Sequence, residues 1–127
     1  MSANTWQAGT ITVYQYPKCG TCRNAVKSLQ AKGNKLELKH IVEETPTAEQ
    51  LKELVKLSGL ELKKFFNTSG DVYRELGLKD KLASMNEDEQ LALLASNGML
   101  IKRPIATDGT KATVGFKEEQ YVQEWNG

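Results

Sequence analysis

The residues best suited to chemistry are the two cysteines of this 127-residue chain, which lie in one motif, Cys19-Gly20-Thr21-Cys22. A structural disulfide framework uses more cysteines at longer spacings. A bridge across two intervening residues also closes too small a loop to constrain the unfolded chain much. Zinc is an alternative, but it takes four ligands and the chain adds only one histidine, His40. We therefore expect no metal, and we favour a redox pair over two inert thiols.

The position of the motif indicates which of the two thiols would be the nucleophile and which would resolve the mixed disulfide. The β-branched and aromatic run 10–16 predicts a strand, and the helical spacing of apolar residues from about Gly20 predicts a helix. Cys19 then lies at the helix N-terminus, where unpaired N–H groups and partial positive charge favour a thiolate. We predict that Cys19 is the exposed nucleophile with a lowered pKa, and that Cys22, one turn on, resolves mixed disulfides. Three basic side chains nearby in sequence add positive charge: Lys18, Arg23 and Lys27.

The other elements must hold this motif in place. A strand pattern at 35–42 makes the first part strand–helix–strand, with a parallel pair and a right-handed crossover. The middle is helical and includes a capping box at Thr47. From Met99 the chain returns to strands, which form a hairpin, and a closing helix is predicted over 118–125. We thus predict one α/β domain, 1–127, with a βαβ–ββα core at about 10–45 and 98–126, an all-helical insertion at about 46–97 and a loose tail at 1–9.

Composition excludes several classes of protein. Seventeen Lys and Arg against sixteen Asp and Glu leave a net charge of +1, whereas a nucleic-acid binder needs a basic excess. No apolar run approaches the roughly 20 residues that span a bilayer, and the N-terminus has no apolar segment of a secretory signal. We therefore expect a cytoplasmic protein that binds neither nucleic acid nor membrane. In that reducing compartment a close cysteine pair is typically catalytic or sensing.

Three segments, in order along the chain, resemble the ArsC family: YPKCGTCRN at 16–24, YRELGL at 73–78 and IKRPI at 101–105. The similarity extends from about Thr10 to Trp125. The family includes glutaredoxin-coupled arsenate reductases and the Spx- and MgsR-like stress regulators. The resemblance implies a thioredoxin/glutaredoxin-like fold with a helical insertion, in agreement with the order of the predicted elements.

The resemblance also implies roles for individual residues. Cys19 would be the nucleophile. Placement alone would make Pro104 an ordinary trans proline at the start of a strand, whereas the resemblance implies a cis peptide bond facing the cysteines. Arg103 would then project at the two sulfurs, where it could stabilise a thiolate or hold an anion. The remaining candidates for anion or thiolate contacts are Gly20, Thr21 and Arg23.

The chain departs from the arsenate reductases of that family at three places. It has Cys22 where they have serine. Of their three oxyanion arginines, Arg103 matches one, Asn67 aligns with the second, and the hairpin segment 113–116, which would carry the third, contains none. Four lysines could supply charge, but not the paired hydrogen bonds of an arginine fork: Lys63, Lys64, Lys111 and Lys117. The dithiol is therefore complete while the arsenate pocket is incomplete.

These features leave three hypotheses. The favoured one is a thiol–disulfide oxidoreductase that uses Cys19 and Cys22, with glutathione, glutaredoxin or thioredoxin as partner. The second is an arsenate reductase that depends on glutathione or glutaredoxin. The third is an Spx-like redox sensor that binds the RNA polymerase alpha subunit, although the chain ends without the basic tail that those regulators share. We expect a monomer with no cofactor, and glutathione as a candidate co-substrate.

Overall fold

The computed structural model describes Trp6 and residues 9–125, which form a four-stranded sheet with helices on both faces. The strands are β1 Ile11–Gln15, β2 Leu36–His40, β3 Ile105–Thr107 and β4 Ala112–Val114. The helices are α1 Gly20–Ala31, α2 Ala48–Ser58, α3 Asp71–Glu75, α4 Leu78–Lys81, α5 Glu87–Ser96 and α6 Glu118–Trp125. Short 3₁₀ turns cover Leu62–Phe65, Leu82–Ser84 and Gly98–Leu100.

The sheet has the strand order β2-β1-β3-β4. β1 pairs in parallel with β2, with Val13 opposite Leu38, and antiparallel with β3, with Val13 opposite Ala106. β3 and β4 form an antiparallel hairpin. The βαβ unit and the ββα unit therefore meet at β1 and β3, and the predicted α/β fold class is confirmed.

Alternating side chains of β1 face two different cores, as the period of a strand requires. Ile11 and Val13 pack with residues of α1 and α6, including Leu29 and Trp125. Tyr14 faces the other side and packs with the helical insertion. That larger core consists mainly of residues from the insertion and the segment that follows it: Leu51, Leu54, Phe65, Phe66, Leu91, Leu94, Leu100 and Ile101.

The end of the insertion is joined by backbone contacts to the segment that leads into β3. Phe66 and Ile101 form an isolated antiparallel bridge. On either side of it, the Asn67 N–H donates to the Leu100 carbonyl at 2.7 Å, and the Lys102 N–H donates to the Phe65 carbonyl at 2.8 Å. These three contacts fix the backbone immediately before Arg103.

Two helix starts have the caps that their sequences specify. Thr47 and Gln50 form a reciprocal capping box at α2, and Asn86 and Glu89 form another at α5. α2 ends at Gly59, whose φ of 70° is in the left-handed region that glycine tolerates best.

The structure corrects the sequence-based prediction in three places. Trp6 is buried, and its indole N–H donates to the Tyr14 hydroxyl at 3.0 Å, so it does not belong to a loose tail. The rest of the predicted tail up to residue 8 lies outside the described residues. The return to strands begins at Ile101 rather than Met99, because Gly98–Leu100 forms a 3₁₀ turn. Residues 78–84, for which no element was predicted, form α4 and a further 3₁₀ turn.

Candidate functional site

Cys19 is the N-cap residue of α1, with extended backbone angles of φ −87° and ψ 119°. Its Sγ accepts a hydrogen bond from the Cys22 N–H at 3.4 Å. Its own N–H donates to the Tyr16 carbonyl at 2.9 Å, which ties the cap to the end of β1. The sulfur thus occupies the place of a capping oxygen, where a negative charge is stabilised by the helix end.

Cys22 lies behind Cys19 in the first turn of the helix and is fully buried. Both cysteines are free thiols. Burial, together with the neighbouring Cys19, raises the pKa of Cys22 to about 12, although the Tyr16 backbone and Arg103 act to lower it. Cys22 is therefore held as a neutral thiol at physiological pH.

Cys19 is only partly buried, and its pKa is moved in the opposite direction. Burial alone would raise the pKa, but the hydrogen bonds from the Cys22 backbone and thiol and the charge of Arg103 outweigh it and lower the pKa. The sequence pattern had pointed to Lys18, Arg23 and Lys27 as the sources of positive charge. All three are exposed, where solvent and salt screen their charges, and it is Arg103 that acts on the sulfur.

Arg103 reaches the cysteines from the segment before β3, and its peptide bond to Pro104 is cis, as the resemblance implied. The guanidinium carbon lies 5.2 Å from the centroid of the Tyr16 ring, within cation–π range. Two of its nitrogens, Nε and Nη1, are buried and have no hydrogen-bond partner among the described residues. The arginine therefore acts on Cys19 while two of its buried donors are satisfied by no described residue.

Cys19 opens onto a cleft of about 1170 Å³, here called the cysteine cleft. Four cationic side chains line it, against two carboxylates, Asp71 and Glu119. The cations are Lys64, Lys102, Arg103 and Lys117. Of the lysines proposed from sequence, Lys63 and Lys111 do not line this cleft; they lie 3.5 Å from Glu61 and 3.7 Å from Glu124 respectively.

The structure brings Cys19, Cys22 and Arg103 together, and Thr21 and Asn67 line the same cleft. Gly20 and Arg23 are exposed and do not line the cleft in the described part of the chain. Arg23 contributes its backbone N–H, which donates to the Cys19 carbonyl at 3.1 Å.

Two residues of the site were not predicted as functional. Tyr16 supplies the carbonyl that holds the Cys19 N–H and the ring that supports Arg103. Lys102 lines the cleft beside Arg103. The only signal in the sequence was adjacency, since Tyr16 begins the first family segment and Lys102 precedes the Arg-Pro step.

Neither a metal site nor a membrane span is found in the described residues. Over Trp6 and 9–125, no three His, Cys, Asp or Glu side chains are grouped to hold a metal ion. The Nδ1 atom of His40 instead accepts hydrogen bonds from the N–H groups of Val42 and Glu43. In the same part of the chain, every helix is too short or too polar to cross a bilayer.

Comparison with known proteins gives consistent matches along most of the chain. The family model described as "ArsC family" matches residues 14–123. The uncharacterized protein YusI of Bacillus subtilis (strain 168) is 61% identical over 116 residues, which are 91% of this chain and 98% of YusI. The regulatory protein MgsR of the same organism is 31% identical over 113 residues, 89% of this chain and 88% of MgsR.

Solved structures agree with these matches. An ArsC family related protein from Bacteroides fragilis superimposes with a TM-score of 0.86 at 48% identity, covering 89% of this chain and 95% of that chain. An arsenate reductase from Vibrio cholerae superimposes with a TM-score of 0.82 at 29% identity, covering 92% of this chain and 98% of that chain. The thioredoxin-like fold of this group is therefore the fold seen here.

Proposed function

The chain belongs to the ArsC family, and from that membership and the geometry of its two cysteines we propose that it is a thiol–disulfide oxidoreductase. The proposal rests on the difference in accessibility and pKa between the two thiols. Cys19 is accessible, capped by the Cys22 N–H at 3.4 Å and has a lowered pKa, whereas Cys22 is buried behind it as a neutral thiol. A nucleophile and a protected second thiol are what two-step exchange requires.

In the first step, the Cys19 thiolate attacks one sulfur of a substrate disulfide. A bond forms between Cys19 and that sulfur, the substrate S–S bond breaks, and the second substrate sulfur leaves as a thiolate that takes a proton from solvent. The open cysteine cleft gives the disulfide access to Cys19, while the burial of Cys22 keeps it out of this step.

In the second step, Cys22 resolves the mixed disulfide. It gives up its proton and attacks Cys19, an internal disulfide forms, and the remaining substrate sulfur leaves as a thiol. In sum, one substrate disulfide gains two electrons and two protons, and the dithiol loses them. The thiol of Cys22 already lies close enough to Cys19 to hydrogen-bond with it. Glutathione, glutaredoxin or thioredoxin would return the pair to the dithiol.

Arg103 stabilises negative charge on Cys19 in this proposal. Its charge lowers the pKa of Cys19, and two of its buried nitrogens have no hydrogen-bond partner among the described residues. The same charge would favour Cys19 as the leaving sulfur when an external thiol reduces the internal disulfide, because a thiol with a lower pKa leaves faster.

The test is exchange with a neutral aromatic disulfide, dithiodipyridine, followed by mass spectrometry of the intact chain. We expect the wild-type chain to release two equivalents of pyridinethiol and to end two mass units lighter, with the internal disulfide. The Cys22→Ser variant should release one equivalent and stop as the mixed disulfide on Cys19. The matched Cys19→Ser variant should release almost none. Release from Cys19→Ser at the wild-type rate would refute the assignment of the nucleophile.

Arsenate reduction is a second candidate, favoured by the unpartnered guanidinium nitrogens of Arg103 and by the lysines around the cysteine cleft. Asn67 also lines that cleft, at the position where the resemblance implies the family's second arginine, and its amide lacks the arginine fork, which counts against this function. Arsenate-dependent oxidation of glutathione that is lost in Arg103→Ala would support this function. No turnover at millimolar arsenate would exclude it.

A regulatory role is favoured by one comparison, the similarity to MgsR over most of both chains. In this candidate, the Cys19–Cys22 pair would sense oxidation and the chain would bind the RNA polymerase alpha subunit. Binding of purified alpha subunit to the oxidised chain but not to the reduced chain would support it. Equal absence of binding in both states would exclude it.

A further inference from the structure

A second cavity, of about 590 Å³, adjoins the cysteine cleft within the helical insertion. We call it the lysine cavity. Its walls come from the 3₁₀ turn Leu62–Phe65 and the residues after it, from α3 and α4, and from the turn Leu82–Ser84. Its size is within the range of small-molecule sites. The residues that carry its chemistry are Lys63, Lys64, Phe66, Tyr73, Lys79 and Lys102.

The lysine cavity is positively charged in a chain that is nearly neutral overall. Four lysines line it and no carboxylate does, in the part of the chain described. Lys63 lies 3.5 Å from Glu61, but both side chains are largely exposed, so this pair is screened by solvent. The other three lysines form no ion pair within 4 Å among Trp6 and residues 9–125. Since the net charge of the chain is +1, this concentration of charge is local.

The remaining walls are apolar and aromatic. Phe66 is 2% exposed, and the Tyr73 ring packs against it edge-on, with centroids 6.3 Å apart and planes at 62°. Leu82 and Met85 complete the apolar side. A site that combines an aromatic wall with lysines suits an organic anion that carries a ring, because the ring packs on the apolar side and acid groups meet the ammonium groups.

Two side chains connect the lysine cavity to the cysteine cleft. Lys64 and Lys102 line both. The Lys102 side chain lies over Gly115, where a Cβ would be 3.3 Å from its Cε atom, and Gly115 also lines the cysteine cleft. A molecule whose acid group lies in the lysine cavity can therefore extend past these two lysines toward Cys19.

We propose that the lysine cavity binds the acidic, ring-bearing end of a small-molecule disulfide whose sulfur reacts with Cys19. The proposal rests on the exchange function proposed above and specifies its substrate class. The covalent steps are those already given, and the substrate disulfide is the oxidant. The lysine cavity contributes only selectivity among disulfides.

The test compares two aromatic disulfides in their reaction with Cys19 at pH 7. Dithiobis(nitrobenzoate) carries two carboxylates, and dithiodipyridine is neutral. The measured quantity is the ratio of their second-order rate constants, anionic over neutral. We expect the ratio to fall about tenfold in Lys79→Glu, because reversing one charge beside a dianion at a solvent-exposed site costs on the order of a factor of ten. A smaller fall is expected in Lys79→Gln.

The matched control is Lys52→Glu, which makes the same charge change at an exposed position of α2. Lys52 lines neither the lysine cavity nor the cysteine cleft. The ratio should stay at the wild-type value in this control. An unchanged ratio in Lys79→Glu, or an equal fall in Lys52→Glu, would overturn the lysine cavity as the site while the exchange function stands. A wild-type chain that reacts with neither disulfide would overturn the exchange function, and this proposal with it.

Discussion

Cys19 and Cys22 are three residues apart, yet their surroundings move their pKa values in opposite directions. The helix start explains the lowered value, because the Cys22 N–H points at the Cys19 sulfur. The raised value comes from burial, which depends on the packing of the whole domain. The first effect is local and could be predicted from the sequence; the full burial of Cys22 could not.

The role of Arg103 leads to a prediction at the residue scale. In Arg103→Gln the pKa of Cys19 should rise toward its ordinary value, because the guanidinium charge that lowers it is removed. Exchange with a neutral disulfide at pH 7 should slow by about threefold, because the smaller thiolate fraction is only partly offset by the greater nucleophilicity of a thiolate with a higher pKa. Thiolate absorbance followed against pH measures the shift. Arg103→Lys keeps a positive charge and should recover part of the lowering of the Cys19 pKa. Equal Cys19 pKa values in the wild-type, Arg103→Gln and Arg103→Lys chains would contradict the proposed role of Arg103.

At the scale of elements, α1 supplies both sulfurs and the segment before β3 supplies the arginine. The strand and helix patterns were sufficient to place these elements, because β1, α1, α2, α5 and α6 each have a regular apolar period or a cap. The four-residue α4 and the 3₁₀ turn Gly98–Leu100 are too short to show a period. Those two pieces are specified by packing against the rest of the domain.

Gly98, which directly follows the helical insertion, lies close to the backbone just after β2. A Cβ at this position would lie 2.1 Å from the Ile41 carbonyl oxygen, which follows β2 directly. Gly98→Ala should therefore lower the free energy of unfolding by about 1 to 3 kcal/mol, the range for overpacked cores. Urea denaturation measures it. The matched control, Gly20→Ala in the first turn of α1, meets nothing within 4 Å and should change stability by less than about 1 kcal/mol. Equal effects of the two substitutions would contradict this packing.

At the scale of the whole molecule, a nearly neutral chain concentrates positive charge on one side of the helical insertion. The fold class followed from the order of elements and from the family segments, since both are properties of the linear sequence. The cysteine cleft and the lysine cavity could not be predicted in the same way, because their lysines come together only in the folded domain. These lysines are Lys64 and Lys102 in both spaces, Lys79 in the lysine cavity and Lys117 in the cysteine cleft. From the sequence, Lys64 and Lys117 are only two of four lysines that could supply charge, and Lys79 and Lys102 are given no role.

The burial of Cys22 also predicts how the stability of the whole chain depends on pH. Its pKa rises from 9.0 to about 12 on folding. Between those values the unfolded chain has lost the proton and the folded chain keeps it, so the free energy of unfolding falls as pH rises. The contribution of Cys22 is complete only well below pH 9, and about 1.4 kcal/mol of it is lost by pH 10.

Urea denaturation at pH 8, 9 and 10 measures this loss. The control is Cys22→Ala, which lacks the titrating thiol and should lose less stability over the same range. Burial also raises the pKa values of Tyr14 and Tyr121, but these groups are present in both chains and cancel in the difference. Parallel pH profiles of the two chains would contradict the raised pKa of Cys22.

The central claim is that Cys19 is the reactive thiolate and Cys22 the protected thiol. The most direct test is alkylation of the reduced chain by iodoacetamide at a series of pH values, with each cysteine quantified by peptide mass spectrometry. We predict that Cys19 is labelled with a midpoint below that of a free cysteine measured in the same buffers, and that Cys22 stays unlabelled through pH 9. A Cys19 midpoint at or above that of a free cysteine, or labelling of Cys22 at a comparable rate, would contradict the claim.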